Sequence, residues 1–274
     1  MPQNITSLST NEAEFLATMA SLNKTIFTSE EAHKFWGDSR RTDEALSNLA
    51  EGGWLLRLER GTYLIIPLEA GTKRLWSAQA LVVAPHLIEP AAVAYWSALH
   101  HWQLTEQLPN TTFVQSTKRK RPSEKTVLGM TFRFVTVTPD KYFGVTRGTM
   151  DGQPYYVTSR EKTLVDAADR PDLSGGAAQL AQALQTAQDL DWERLSDYLL
   201  RWPASSPMKR IGYLVEALDL SIPNRSEVVA QWQAAIAPGI VMLEPGEPGD
   251  IGQIVTRWKL KVNVDGSWAS GGRL

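Results

Sequence analysis

The chain of 274 residues contains no cysteine. Disulfides, thiolate nucleophiles and cysteine-ligated zinc sites are therefore excluded, and the composition fits a reducing compartment. Long apolar segments are missing too, because runs such as residues 80–85 fall far short of the roughly 20 residues that cross a bilayer. The N-terminal residues 1–19 carry two glutamates and no continuous apolar stretch, unlike a signal peptide. We therefore expect a soluble, cytoplasmic protein that does not engage a membrane.

The chain also lacks a strong charge of either sign. Its 28 Lys+Arg against 30 Asp+Glu give a formal net charge of −2, which argues against a protein that coats nucleic acid. A sequence-specific DNA-binding protein is still allowed, since it needs only a local basic face. The hydrophobic content of 43% and the ten tryptophans indicate a folded core, and the length favours two domains over one.

The N-terminal part carries the start and stop signals of three short helices. Ser9 and Thr10 are candidate caps for the first helix, and Thr28 with Glu31 fits a capping box for the second. The second helix is expected to end near Gly37. After a turn at Asp38 and Ser39, a third helix is predicted over residues 40–51, before two glycines.

A β-hairpin follows, with strands predicted at residues 54–58 and 62–66. Three short helices and a hairpin are the order of a winged helix-turn-helix domain. We therefore predict such a domain over residues 1–70, a junction at residues 71–75, and a second domain over residues 71–274.

On the third helix, Thr42, Leu46 and Leu49 share one face with Ala45, which predicts a buried stripe. The major groove admits one helix, whose polar side chains reach the base edges, while a hairpin wing meets the backbone or the minor groove. The candidate DNA-binding residues, on the opposite face and on the hairpin, are Ser39, Arg40, Arg41, Glu44, Ser47, Asn48, Arg57 and Arg60.

The charge of this head leaves a second interpretation open. Residues 1–66 hold six Lys+Arg against nine acidic residues, a net charge of −3, so that any DNA-binding face must be local. Winged helices also serve as protein-interaction modules. The acidic total favours that role, whereas the arginines favour DNA.

In the remaining residues helical and extended segments alternate, which predicts an α+β protein with a larger mixed α/β C-terminal domain. No internal repeat is visible. Helices are predicted at residues 76–83, 91–100, 161–168, 177–188, 192–200, 209–218 and 226–237. Strands are predicted at residues 111–115, 130–138, 153–158, 239–243 and 254–264.

Four blocks of sequence, in order along the chain, resemble the AbiEi family of antitoxins, transcriptional regulators of viral defence systems. They are RLERGTY at 57–63, SALHHWQLTEQ at 97–107, REKTLVDAADRP at 160–171 with Gly175 and Gly176 shortly after it, and KRIGYLVE at 209–216. The resemblance implies a winged-helix head that represses its own operon. It also implies a C-terminal domain that counteracts a nucleotidyltransferase-like toxin.

Candidate chemical groups are few. His100 and His101 are neighbours on a helix and point about 100° apart, so they cannot chelate one ion together. Glu161, Asp166 and Asp169 are better explained as capping and pairing groups than as an acidic site. The Walker, GxSxG, HExxH and dinucleotide-binding motifs are missing. We expect no catalytic residues, no metal and no cofactor.

The densest positive charge is the run Lys118, Arg119, Lys120 and Arg121, between two predicted strands. Two interpretations stay open. The run is either the solvated tip of a hairpin or a functional contact. Such a contact would be to an acidic partner, as part of the antitoxin surface, or to the backbone of DNA or RNA.

Taken with the features of the head, the resemblance to AbiEi antitoxins implies a non-enzymatic antitoxin of a bacterial toxin–antitoxin system active in phage defence. Its partners would be double-stranded DNA, an inverted repeat in its own promoter, and a nucleotidyltransferase-like toxin reached directly or indirectly. Two alternatives are a module that neutralises its toxin by direct binding and a stand-alone transcriptional regulator without a toxin.

Overall fold

The computed structural model describes residues 7–37, 39–66, 80–127, 129–150, 152–247 and 252–264. We call residues 7–66 the head and residues 80–264 the body. The predicted junction at 71–75 lies outside the described residues. The head comprises α1 (Thr10–Ser21), β1 (Ile26–Thr28), α2 (Ser29–Trp36), α3 (Ser39–Glu51), β2 (Leu55–Glu59) and β3 (Thr62–Ile65).

Both predicted capping signals of the head are confirmed. Ser9 caps α1 and forms a capping box with Glu12, and Thr28 does the same for α2 with Glu31. Helix α2 ends at Gly37, which adopts the left-handed conformation. Helix α3 begins at Ser39, one residue earlier than predicted. The local sequence therefore defines these helix ends, because capping satisfies backbone N–H groups that have no partner within the helix.

The three strands of the head form an antiparallel sheet in the order β1-β3-β2. Strand β1 was not predicted; it is only three residues long. The helices pack on this sheet around an aromatic centre, in which Phe15 contacts the rings of Phe27 and Trp36. Leu46 and Leu49 of α3 close the same core, so the orientation of α3 is fixed by apolar burial.

The body contains two more sheets and seven helices among its described residues. Its first part comprises α4 (Ala80–Leu87), β4 (Ala92–Val93), α5 (Tyr95–His101), β5 (Thr111–Ser116), β6 (Glu124–Val127), β7 (Met130–Thr136), β8 (Val145–Met150) and β9 (Gln153–Thr158). Its second part comprises α6 (Arg160–Asp169), α7 (Gly176–Thr186), α8 (Trp192–Arg201), α9 (Ser206–Ala217), α10 (Arg225–Ala235), β10 (Val241–Met242), β11 (Gln253–Val255) and β12 (Leu260–Val262).

The central sheet of the body has six strands in the order β6-β7-β5-β4-β9-β8. The pairs β5–β7 and β4–β9 are parallel and the other pairs are antiparallel. Helix α6 is buried from Glu161 to Ala168 and shares one core with α7–α10 and the C-terminal sheet β10-β12-β11. The α+β fold with a winged-helix head and a larger mixed body is confirmed.

Several predicted elements of the body were wrong in detail. The segment 91–100, predicted as one helix, is a short strand, β4, followed by α5. Most of its residues are apolar and buried, so the sequence shows no period that would distinguish a strand from a helix. The strand predicted over residues 254–264 is interrupted by a 3-10 turn at Thr256–Trp258. The edge strands β6 and β8 were missed because they carry mostly exposed or half-exposed side chains. Helix α4 extends to Leu87, past Pro85, and residues 76–79 of the predicted helix are outside the described part.

The head and the body share a hydrophobic cluster. Ile26, Leu58 and Leu64 of the head lie in the same cluster as Val83 of α4 and Phe132 of the central sheet. A hydrogen bond of 2.7 Å also joins the Gln153 side chain to the carbonyl oxygen of Asn23. The wing is therefore packed against the body, so both parts of the molecule present their surfaces in one fixed arrangement.

Candidate nucleic-acid interface

The two faces of α3 are separated as the helical spacing predicts. Thr42, Leu46 and Leu49 are at most 2% exposed. The side chain of Ser39, at the start of the helix, lies outside the described part of the chain. The opposite face is exposed to solvent and consists of Arg40, Arg41, Glu44, Ser47 and Asn48. Such a row of polar side chains on a helix that is held from behind by a core is what a major groove accommodates.

Two contacts on this exposed face are short-range surface pairs. Arg40 Nε lies 3.1 Å from Glu44 Oε1, with side chains 89% and 64% exposed, and Ser47 Oγ lies 3.2 Å from Glu51 Oε1. Exposed pairs of this kind stabilise a helix by only about 0.3–0.5 kcal/mol. A DNA phosphate or base edge can therefore displace them at little cost.

The hairpin of β2 and β3 forms the wing, and its turn is anchored to the helices. The backbone N–H of Ser29 donates to the carbonyl of Gly61 at 2.7 Å. Gly61 adopts a positive φ of 73°, and a Cβ at this position would lie 2.9 Å from Ser29 Oγ. Arg57 and Arg60 extend into solvent from this fixed hairpin.

The basic run of the body lies beside the wing, because the two are joined through one carboxylate. Glu59 of the wing accepts from Lys120 at 2.9 Å and from Lys125 at 2.7 Å. The same two ammonium groups also donate to the carbonyl oxygens of Leu87 and Leu58. Partial burial alone would raise the pKa of Glu59, but the hydrogen bonds from the two lysines outweigh it and hold the pKa below its ordinary value.

This arrangement corrects the expectation that the whole basic run is solvated. The Lys120 side chain is only 15% exposed, because it is committed to the contact between wing and body. Lys118, Arg119 and Arg121 remain exposed. Together with Arg57 and Arg60 of the wing they form what we call the wing–loop surface.

Glu59 and Lys125 were missed by the sequence analysis. In the sequence Glu59 is one acidic residue between two arginines of a hairpin, and Lys125 lies 66 positions away. No local pattern connects residues at such a distance. Only the packing of the wing on β6 brings them together.

The two adjacent histidines have different surroundings. His100 is exposed, whereas His101 is half-buried and packs edge-on against Trp102 and Tyr155, with ring centroids 4.7 and 5.5 Å away. Burial, with a smaller contribution from His100, lowers the pKa of His101. Across the described part of the chain, no group of three or more His, Asp or Glu side chains is placed to hold a metal ion.

The three carboxylates around α6 contact different partners. Glu161 accepts a hydrogen bond of 3.0 Å from Ser159 Oγ, at the start of the helix. Asp166 pairs with Lys162 inside the core, and Asp169 pairs with Lys141 at 2.6 Å. The carboxylates do not converge on a common point, in agreement with the structural role predicted for them.

The block at residues 209–216 is likewise structural. The Arg210 guanidinium is buried and donates to the carbonyl oxygens of Ala168 at 2.7 Å and Met242 at 3.0 Å, which joins α6 to the C-terminal sheet. Two residues further on, a Cβ on Gly212 would lie 2.2 Å from the ring of Trp258. This close approach leaves no room for a side chain.

The order of elements in the head, with α3 exposed and a hairpin beside it, defines a winged helix-turn-helix protein with an additional α/β body. The family model described as "Transcriptional regulator, AbiEi antitoxin" matches residues 14–66, which confirms the suspected resemblance in the head and supports a regulator role. The crystal structure of the RV2827C protein from Mycobacterium tuberculosis is similar in fold, with a TM-score of 0.61 at 17% identity over 94% of both chains. No curated protein matches the chain.

Among the described helices, none has the length and apolar character needed to cross a membrane.

Proposed function

We propose that this protein is a cytoplasmic, non-enzymatic antitoxin of a bacterial abortive-infection system. In this proposal it binds an inverted repeat in its own promoter and represses its operon. It also counteracts a nucleotidyltransferase-like toxin encoded beside it.

The observation that carries the DNA-binding part is the exposed polar face of α3, together with the exposed cations of the wing–loop surface. The head as a whole is acidic, whereas the wing–loop surface carries five exposed cations. A helix in the major groove supplies contacts to base edges, and a basic wing supplies contacts to phosphates. The anchoring of Lys120 and Lys125 to Glu59 supports a DNA footprint that extends from the wing onto the body.

The test is a gel-shift titration of the full-length protein at physiological salt. The probes are a duplex from its own promoter and a random duplex of equal length and base composition. We expect at least about a thousandfold tighter binding to the promoter duplex, as for specific regulators in general. Equal affinity for the two duplexes would exclude sequence-specific repression.

The antitoxin part rests on the resemblance of the blocks at 97–107, 160–171 and 209–216. Its test is rescue of cells that express the toxin encoded next to this chain. The full-length protein and an Arg40→Ala/Arg41→Ala variant are compared in parallel at matched expression. If both proteins rescue the cells and only the variant loses operator binding, the two activities are separate. Loss of rescue in the variant would contradict an antitoxin activity that is independent of DNA.

A second candidate function, a protein-interaction module that neutralises the toxin by direct binding, is favoured by the acidic residues on α3. Asp43, Glu44 and Glu51 are exposed on the same helix as the two arginines. Size-exclusion chromatography of the two purified proteins distinguishes the candidates. A stable complex that forms without DNA supports direct binding, and separate elution supports the repressor without direct contact.

A further inference from the structure

A cavity of about 430 Å³ lies in the body, beside helix α4, which packs against the wing. Its walls come from the first turn of α4, from β4, from α5 and from the segment between α5 and β5. The wall of α4 consists of Ala80 and Leu81, and the following turns of that helix share the hydrophobic cluster with the wing. Cavities of this size accommodate small organic ligands.

The residues that line the cavity determine which ligands fit. Among the described ones, half have apolar side chains and half have polar ones, and none of the lining residues carries a permanent charge. Leu108, at the rim, is 76% exposed, which is unusual for a large apolar side chain. The lining offers no counter-charge to a charged ligand, so an uncharged ligand is favoured.

The polar lining groups differ in their availability. Ser97 Oγ is committed, since it donates to the carbonyl of Thr111 at 3.1 Å and accepts from the N–H of Phe113 at 2.9 Å. His101 makes ring contacts, but its ring nitrogens form no hydrogen bond with the described residues. Burial lowers its pKa and so favours the neutral ring, which offers one donor and one acceptor.

The block at residues 97–107 divides into two sets of residues. One set holds the fold: Trp102 Nε1 donates to the carbonyl of Thr158 at 2.7 Å, and Thr105 bonds Gln179 at 3.0 Å. The other set lines the cavity, and it includes His100, His101 and Gln103. The proposed antitoxin function uses this block only as a whole, through its resemblance, and assigns no role to these three side chains.

We propose that this cavity is a binding site for an uncharged, planar heteroaromatic molecule of one or two rings. The ring lies against Leu81, Val93 and Pro109, and its polar edge faces His101 and Gln103. This ligand site is independent of the proposed antitoxin function, since its argument uses neither DNA nor toxin.

The experiment is isothermal titration of the full-length protein with a small panel of probes. The uncharged probes are indole, benzimidazole and nicotinamide, and the charged controls are benzoate and benzylammonium. Leu81→Trp narrows the cavity from its α4 wall. Leu200→Trp, a similar change on the exposed side of α8, is the matched control, and His101→Phe keeps the ring contacts while it removes both nitrogens.

We expect at least one uncharged probe to bind at a single site with a Kd below about 1 mM. Leu81→Trp should weaken this binding at least about tenfold, His101→Phe roughly threefold to tenfold, and Leu200→Trp not at all. The proposal is overturned if no uncharged probe saturates, if Leu81→Trp binds like the wild type, or if a charged control binds as tightly. If Leu81→Trp does not fold, unchanged binding to His101→Phe overturns it.

Discussion

Two groups of cations in this molecule have opposite surroundings. The arginines of the head and the wing are exposed, and Arg40 pairs with Glu44 at the surface. In the body, Lys162, Lys209 and Arg210 are at most 5% exposed and have fixed partners. The Lys162 ammonium, for example, pairs with Asp166 and lies 5.2 and 4.7 Å from the ring centroids of Phe143 and Trp202.

The difference shows how burial decides what a cation does. A buried ammonium has lost its hydration and therefore needs its partners. Because separating them is costly, these contacts hold the segments that carry them in place. Burial lowers the pKa of Lys162 and raises that of Asp166, while the contact between them opposes both shifts. An exposed guanidinium keeps its hydration and can exchange it for a phosphate. Four predictions test this division, from the largest expected effect to the smallest.

The buried pair should have the largest effect on stability. Lys162→Met leaves the Asp166 carboxylate buried without its cation, which should lower the free energy of unfolding by roughly 3–5 kcal/mol. Chemical denaturation measures the change. The control is the double variant Lys162→Met/Asp166→Leu, which removes both charges and should recover most of the loss. A single variant as stable as the wild type would contradict the role of the pair.

The exposed arginines of α3 should affect binding without affecting stability. Arg40→Ala/Arg41→Ala is expected to weaken promoter binding by roughly 1–3 kcal/mol for each side chain that reads a base edge. Lys34→Ala, on α2, removes a similar i,i+4 surface pair and serves as the control. The melting temperature should stay the same in both. If the double variant binds the promoter duplex like the wild type, α3 is not the reading helix.

The exposed cations of the basic loop should contribute a smaller effect that does not depend on sequence. Changing Lys118, Arg119 and Arg121 to Ser, with Lys120 kept because it anchors the loop, should weaken binding to promoter and random duplexes alike. The slope of log K against log salt should decrease by roughly 0.9 for each phosphate that the variant no longer neutralises. Arg147→Ser, on the exposed edge strand β8, is the control. An unchanged salt slope would mean that the exposed cations of the loop are solvated and do not contact DNA.

The stabilising effect of the contact between wing and body should depend on the protonation state of Glu59. The pKa of Glu59 is lower in the folded protein than its ordinary value of 4.5. The contact therefore stabilises the protein fully when the pH is above 4.5, and this stabilisation is lost as the pH falls through the lower, folded-state pKa. Glu59→Gln should therefore reduce stability at pH 7 and lose part of its acid dependence. Unfolding curves between pH 3 and pH 7 measure both effects. Parallel pH profiles for the variant and the wild type would show that the contact does not contribute.

Local patterns predicted the head well. Capping signals and the spacing of Thr42, Leu46 and Leu49 defined the start of α1, both ends of α2 and the exposed face of α3, because these features depend on neighbours within a few residues. In the body, the long helices were predicted close to their observed bounds for the same reason. The strands β4, β6 and β8 were not predicted, since each is short or polar and is stabilised by pairing with a distant strand.

The sequence by itself determined the absence of thiol chemistry, the winged-helix order of the head and the division of α3 into a buried and an exposed face. The tertiary structure decided how the charged residues are used. It paired Glu59 with Lys120 and Lys125, placed the basic loop beside the wing, and buried Lys162 with Asp166. The physical reason is that the interaction energy of a charged side chain depends on its distance to a partner and on how much of its hydration it has lost. Both are properties of packing between segments that lie far apart in the chain.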